Sequence, residues 1–243
     1  MSSDKSFLSL RLEGPLQSWG FDSQYNRRNT GLIPTKSGIA GICCAALGLP
    51  RGSDKEQKFL AEFGEIKMTA ISIPRQLKKE LPVRRLQDYH TVQNTRTADG
   101  KKKDCHITHR QYLTDASFGV LLTGKPLLIK QIAYGIDGKN GLANPVWGIW
   151  FGRKTCIPAR PVLAGLRDNR DEALRLLIGD KPLESFTRQE DVENFDDGRD
   201  SLPDAPVSFA TERRNHCLPR RVLTVQGMQK TTEEVNGHQP GSI

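Results

Sequence analysis

Three histidines, His90, His106 and His109, sit in or beside a stretch from Arg75 to Arg110 that carries ten lysines and arginines against four acids, net +6. Imidazoles among cations could cleave RNA without metal, because that reaction needs only a general base, a general acid and positive charge near the scissile phosphate. The same cations without a reaction bind a polyanion by releasing counterions from its phosphates. Nucleic acid is the default partner for such a stretch, set against the bland reading of a solvated charged face. A second cationic run, Tyr25-Asn26-Arg27-Arg28-Asn29, adds two guanidiniums. Arginine forks onto phosphate, and Trp19, Tyr25, Tyr89 and Tyr112 supply faces on which bases can stack. Cys105-His106-x-x-His109 offers soft metal ligands, but zinc wants a fourth partner and no spacing in the chain signposts one. No metal or cofactor is expected.

Pro34-Thr35-Lys36-Ser37-Gly38 stands at the start of an apolar helical run. Free backbone N–H groups, a lysine and two hydroxyls at the positive end of a helix dipole form a physically suitable phosphate seat. Plain capping by Thr35 explains the same residues equally well. The spacing is not that of a Walker loop, and no GxGxxG turn occurs, so nucleotide hydrolysis has little support.

The elements that must position these groups follow from hydrophobic period and punctuation. Phe7 to Leu12 alternates with period two ahead of Gly14-Pro15 and predicts a strand. Ile39 to Gly48, capped by Thr35 and closed by Gly48, predicts a helix that is apolar nearly all round and packs on a sheet. Asp54 to Phe63 predicts a second helix, and Ile66 to Ile73 a strand. The basic stretch holds too few large apolar residues to bury a core, so it reads as a protruding, partly flexible arm turning at Asp99-Gly100. Strands are predicted for Tyr112 to Leu122, Val146 to Phe151 and Arg221 to Val225. Helices are predicted for Pro126 to Ile136 and Glu172 to Ile178. From Glu184 to Asp204 the charge reverses, with eight acids against two arginines, net −6. The pattern is α+β and rich in strands.

The whole chain of 243 residues has 36 Lys+Arg against 28 Asp+Glu, a formal charge of +8. No run of apolar residues approaches the ~18 of a membrane span, and the N-terminus lacks the apolar core of a signal peptide. A cytoplasmic protein without a membrane partner is expected. Five cysteines without a CxxC pair argue against a disulfide framework and for reduced, mostly buried thiols.

Five motifs in order carry a resemblance: GPLQSWG from Gly14, PTKSGIAGICCAALGL from Pro34, QDYHTVQN from Gln87, THRQYLTDASFGVLL from Thr108 and WFGRKTCIPARPVLAGL from Trp150. Together they resemble the Cas-five family of the type I-E CRISPR Cascade complexes, over about Phe7 to Leu166 and more weakly near Arg213 to Val225. The resemblance implies a ferredoxin-like body of the RRM and RAMP type, made of residues 1–74 and 112–182. It also implies a basic hairpin-like thumb over 75–111 and a small β-rich C-terminal extension over 183–243. By the same resemblance the chain makes no chemistry. It caps the 5′ handle of the CRISPR RNA, contacts a CasC-type backbone subunit, a CasA-type large subunit and the other Cascade subunits, and meets target DNA only indirectly. Type I-C relatives that cleave precursor RNA supply the alternative, a metal-independent endoribonuclease.

Both readings point to one set of RNA-facing residues: Arg27 and Arg28 in the loop, Lys36, Ser37 and Gly38 at the helix start, and Arg110 and Tyr112 at the end of the arm. Arg85 and His90 within the arm belong to the set, as do Arg153 and Lys154. Gln17 and Trp19 enter through the family signature, with core packing an equal reading for Trp19. The acidic stretch and the tail beyond Gln229 lie outside the motifs that carry the resemblance, and either dock protein partners or form lineage-specific loops.

Overall fold

The alternating run at Phe7 to Leu12 forms β1 (Ser6–Glu13) in the structure, a computed structural model that describes residues 4–20, 23, 26–76, 80–81, 84–97, 99–213 and 217–227. Tyr25, Lys78, Lys79, Arg214 and the tail from Gln229 lie outside the described residues. Leu8, Leu10 and Leu12 are fully buried on one face of β1, as a period of two requires. The opposite face is covered as well: Ser9 is buried, and its hydroxyl donates to the Ala173 carbonyl at 2.7 Å.

Two short strands follow, β2 (Leu16–Gln17) and β3 (Arg27–Arg28). Helix α1 (Lys36–Leu47) begins where the Thr35 hydroxyl accepts the Gly38 N–H at 3.2 Å, and ends at Gly48, whose φ of 67° is the left-handed conformation that favours glycine. Helix α2 (Asp54–Gly64) is capped by Ser53, and buries Phe59, Leu60 and Phe63 at helical spacing. Then come β4 (Lys67–Ser72), β5 (Arg75–Gln76) and β6 (Glu80–Leu81), followed by the long pair β7 (Arg84–Arg96) and β8 (Lys102–Thr114). The chain continues through β9 (Ser117–Gly124), α3 (Pro126–Tyr134), β10 (Leu163–Arg167) and α4 (Arg170–Ile178), and then β11 (Arg188–Asp191), β12 (Asp200–Pro206) and β13 (Cys217–Val225).

Seven strands form one sheet in the order β10-β1-β9-β4-β11-β13-β12, with every pair antiparallel. Its two faces bury different cores. Leu8, Leu10, Met68, Ala70, Phe118, Val120 and Leu122 pack with the apolar residues of α1, α2 and α3. Ile71 and Leu121, pointing the other way, pack with Ala173, Leu174 and Leu177 of α4 and with Phe186. Burial of each large side chain among them contributes about 1.5–3 kcal/mol, so the three layers stabilise one another. Among the described residues no helix is long and apolar enough to cross a membrane.

Two expected elements take a different form. Val146 to Phe151 is an irregular loop, because its backbone donors are used elsewhere: the N–H groups of Val146 and Trp147 go to Ala46 and Ala45 O at the end of α1, both at 3.1 Å. The expected single strand from Tyr112 to Leu122 breaks at Asp115, with φ of 52°, into β8 and β9, which belong to different sheets. The acidic stretch holds β11 and β12, which continue the main sheet beyond β4 together with β13.

Candidate nucleic-acid interface

β7 and β8 pair along their full lengths, from Arg84↔Thr114 to Arg96↔Lys102. The turn closes where the Thr97 N–H donates to Lys101 O at 3.0 Å and Gly100 takes a φ of 82°. From Lys101 to Cys105 and at Gln93, Asn94, Arg96 and Thr97 the hairpin is exposed. Nearer its root, the other edge of β8 accepts β2 in antiparallel register and β3 in parallel register, Arg27↔His109 and Arg28↔Arg110. The His109 N–H, donating to Asn26 O at 2.8 Å, fastens β3 in place. Residues about eighty positions apart in sequence thus form one cationic strip along this edge, with Arg28, Arg84 and Arg110 on one face of the sheet and Arg27 and Arg85 on the other. Arg27, Arg28, Arg84 and Arg85 are exposed and Arg110 is half-buried, its Nε donating to the Thr108 hydroxyl at 3.1 Å. His90 stands on β7 with Nδ1 3.8 Å from the Asp88 carboxylate, and Tyr89 meets His109 across the strands with ring centroids 5.3 Å apart. A polyanion laid along these cations is bound by release of the counterions on its phosphates.

Arg153 braces the strip. Its guanidinium lies 4.5 Å over the Tyr112 ring and donates to Gln111 O at 3.1 Å and to Arg28 O at 2.8 Å. Tyr112 is 5% exposed, so it cannot serve as the base-stacking face expected of it; the cation above it and the core below fill both sides. Exposed Lys154 follows directly. The loop carrying both is held against the first motif, where the Ser18 N–H donates to Phe151 O at 2.9 Å. At Gly152, φ is 90° and a Cβ would stand 1.7 Å from Ser18 O, so only glycine fits.

Gln17 and Trp19 are 0% and 1% exposed, which removes them from the RNA-facing set and decides for core packing. The Gln17 amide donates to Leu12 O at 3.0 Å and Ala116 O at 2.7 Å, and its Oε1 accepts the Trp19 indole N–H at 3.0 Å. Thr30 Oγ1 accepts the Trp19 backbone N–H at 2.8 Å. GPLQSWG is therefore the buried joint from which the Arg27–Arg28 loop is hung. Gly38 belongs to the same joint, since a Cβ there would stand 2.9 Å from the Trp19 ring.

The expected phosphate seat is already filled. Lys36 is 3% exposed; its backbone N–H donates to Asp204 Oδ2 at 2.8 Å, and its ammonium donates to Ile66 O at 2.7 Å, Gly64 O at 3.1 Å and Asp191 Oδ2 at 3.1 Å. Arg220 completes the group, with Nε 2.6 Å from Asp204 Oδ1 and an ion pair to Asp191. Two cations and two carboxylates thus neutralise one another inside the fold. Burial pushes the Lys36 ammonium below its usual range, and the Asp191 carboxylate opposes that shift. Ser37, half-buried, donates its hydroxyl to Thr35 Oγ1 at 3.3 Å. The dipole end that the sequence offered to a ligand is occupied by the chain's own carboxylate.

Asp191 and Asp204 gave no local signal, because Lys36 lies more than 150 positions away, and Arg220 joins them from another strand. Glu56 is another such residue, fully buried and accepting from the Ser208 hydroxyl at 3.0 Å and the Phe209 N–H at 2.9 Å. Burial lifts the Cys44 thiol to about 12, with the Glu56 carboxylate adding to the shift, while Cys105 on the hairpin is exposed. Among the described residues no group of three or more His, Cys, Asp or Glu is placed to hold a metal ion.

A model of the family described as CRISPR-associated protein (Cas_Cas5) matches residues 7–221. The chain belongs to the Cas5 family. The CRISPR system Cascade subunit CasD of Escherichia coli (strain K12) is 31% identical over 175 residues, which are 71% of this chain and 76% of that protein. A chain of a CRISPR RNA-guided surveillance complex superposes with a TM-score of 0.67 at 28% identity, covering 90% of each chain. A crystal structure of a Cas protein superposes with a TM-score of 0.61 at 27% identity, covering 91% of this chain and 95% of the other. These findings agree with the resemblance carried by the five motifs and extend it, because the matched range also runs through the acidic stretch Glu184 to Asp204, which the motifs did not reach. The matched range spans the hairpin, β3 and the Arg153 loop, so in this Cas5 chain the cationic strip lies within the part shared with the family.

Proposed function

We propose that this Cas5 chain is the CasD-type subunit of a type I-E Cascade surveillance complex, where it caps the 5′ handle of the CRISPR RNA without making or breaking a bond. The observation that carries the reading is the register of β3 on β8, which pairs Arg28 with Arg110 on one face of the sheet and sets Arg27 beside His109 on the other, with Arg84 and Arg85 on the paired strand β7. Arg27, Arg28, Arg85, Arg110 and Lys154 contact the RNA backbone, and His90 lies within its reach. Such contacts hold and orient the strand, while exposed aromatic faces and base edges supply selectivity.

The strand order β10-β1-β9-β4, with α1 and α2 between β1 and β4 and α3 between β9 and β10, supports a ferredoxin-like body over residues 1–74 and 112–182. The hairpin within 75–111 is its thumb, and 183–243 is an extension for protein contacts in the cytoplasmic complex. CasC-type and CasA-type subunits are the partners that the family resemblance implies. Glu193, Asp196 and Asp197 are exposed at the start of β4, the end away from the hairpin, and repel nucleic acid there.

The test is to purify the assembly with its RNA and sequence the bound strands. One shared 5′ end supports the reading, and ragged ends overturn it. Incubating the protein alone with repeat RNA and no metal tests the ribonuclease alternative, in which products lost on His90, His106 or His109 substitution contradict a role without chemistry.

A further inference from the structure

On one face of the interface sheet a row of side chains crosses three strands. Paired residues in a sheet point to the same side, so the registers Arg27↔His109 and Tyr89↔His109 place a guanidinium, an imidazole and a phenol in line. The Tyr89 ring meets His109 at an interplanar angle of 75° with centroids 5.3 Å apart, which holds it upright, yet Tyr89 is 60% exposed. Gln87 and Gln111 form the next row on the same face, about 7 Å along the strands. Arg28, Arg110 and Asp88 point to the opposite face. A large aromatic surface is thus left open to solvent near a cation and a pair of amides, and no core residue among those described covers it.

We infer that Tyr89 and His109 form a platform for one unstacked nucleobase of single-stranded RNA, with Arg27 on the adjoining phosphate and the Gln87 side-chain amide at the base edge. This rests on the RNA-binding reading above and adds to it the place where a base is held. An aromatic face accepts any base, and an amide beside it adds preference through hydrogen bonds to the edge.

The experiment uses the full chain and a single-stranded RNA oligonucleotide of the CRISPR repeat, with 2-aminopurine substituted at successive positions. One position is expected to change fluorescence on binding. Tyr89→Ala abolishes that change and weakens binding about tenfold, the size of one lost stack. Tyr89→Phe keeps both, and far-ultraviolet circular dichroism stays unaltered. Because no phosphate contact is lost, the slope of log affinity against log salt is the same for Tyr89→Ala and the unaltered protein, whereas Arg27→Ala lowers it. RNA that is abasic at the responding position binds the two proteins equally. Salt-dependent binding that is indifferent to Tyr89→Ala overturns the platform alone; no binding of the unaltered protein overturns the RNA reading beneath it.

Discussion

Arg153 touches three segments at once, the Tyr112 ring, the Gln111 carbonyl and the Arg28 carbonyl, and so behaves as a strut under the cationic strip. A lysine at this position keeps the charge but cannot stack and fork together. Arg153→Lys is therefore expected to weaken RNA binding as much as Arg153→Ala, by about five- to tenfold, with each charge-assisted bond worth roughly 1.5–3 kcal/mol where it is formed. Filter binding at fixed salt checks this, and full affinity in Arg153→Lys would make Arg153 a simple phosphate ligand. Thiol chemistry gives a second reading at this scale. Cys44, lifted to about 12, and buried Cys43, lifted well above its ordinary value, stay protonated at pH 8, while Cys105 stands exposed on β8. Maleimide at pH 8 should label Cys105 first, and bound RNA should slow that labelling. Rapid modification of Cys43 or Cys44 in the folded protein would contradict the packing of α1.

At the scale of elements, α1 is fixed at its start by a buried group of four charges. Replacing Lys36 by methionine leaves that group unbalanced, which costs about 3–5 kcal/mol. Urea unfolding should show the loss, and RNA affinity per folded molecule should be unchanged. An unaltered urea midpoint with weakened RNA binding would return Lys36 to the phosphate contacts. The pH dependence has a definite sign. The folded state holds the Lys36 proton less tightly than the unfolded chain, so this residue's contribution rises as pH climbs toward 10.5. The stability difference between the unaltered protein and Lys36→Met should widen over that alkaline range, and narrowing would contradict the environment described. Gly152→Ala is expected to displace the Arg153 loop, because φ of 90° and the Ser18 carbonyl both exclude a methyl group. The caps of α1 and the period-two strands were legible because their signals lie within a few residues of each other. Lys36 was misread because Thr-Lys-Ser-Gly looks the same whether the helix end meets a phosphate or Asp204, and Asp204 is 168 positions away. The Val146 to Phe151 segment has strand-like composition, but the end of α1 takes its donors.

For the whole molecule, charge is laid out along the sheet. The hairpin leaves β4 at Ser72, at one end, while Glu193, Asp196 and Asp197 follow β11 beside Lys67, at the other. The sequence displayed both charge runs, and their excess cations and acids were readable without a structure. It did not display that β3 pairs with β8, since a two-residue strand has no period to detect, nor that two of the eight acids turn inward to hold Lys36 and Arg220. The central claim is that the β3 edge of the hairpin sheet binds phosphates on both of its faces, Arg28 and Arg110 on one and Arg27 on the other. The most direct measurement is the affinity for repeat RNA across a salt series, for the unaltered protein and for the variant carrying Arg27→Ala, Arg28→Ala and Arg110→Ala. Three lost contacts to a single strand are expected to flatten the slope of log affinity against log salt by about 2. The same slope in both proteins would contradict the account.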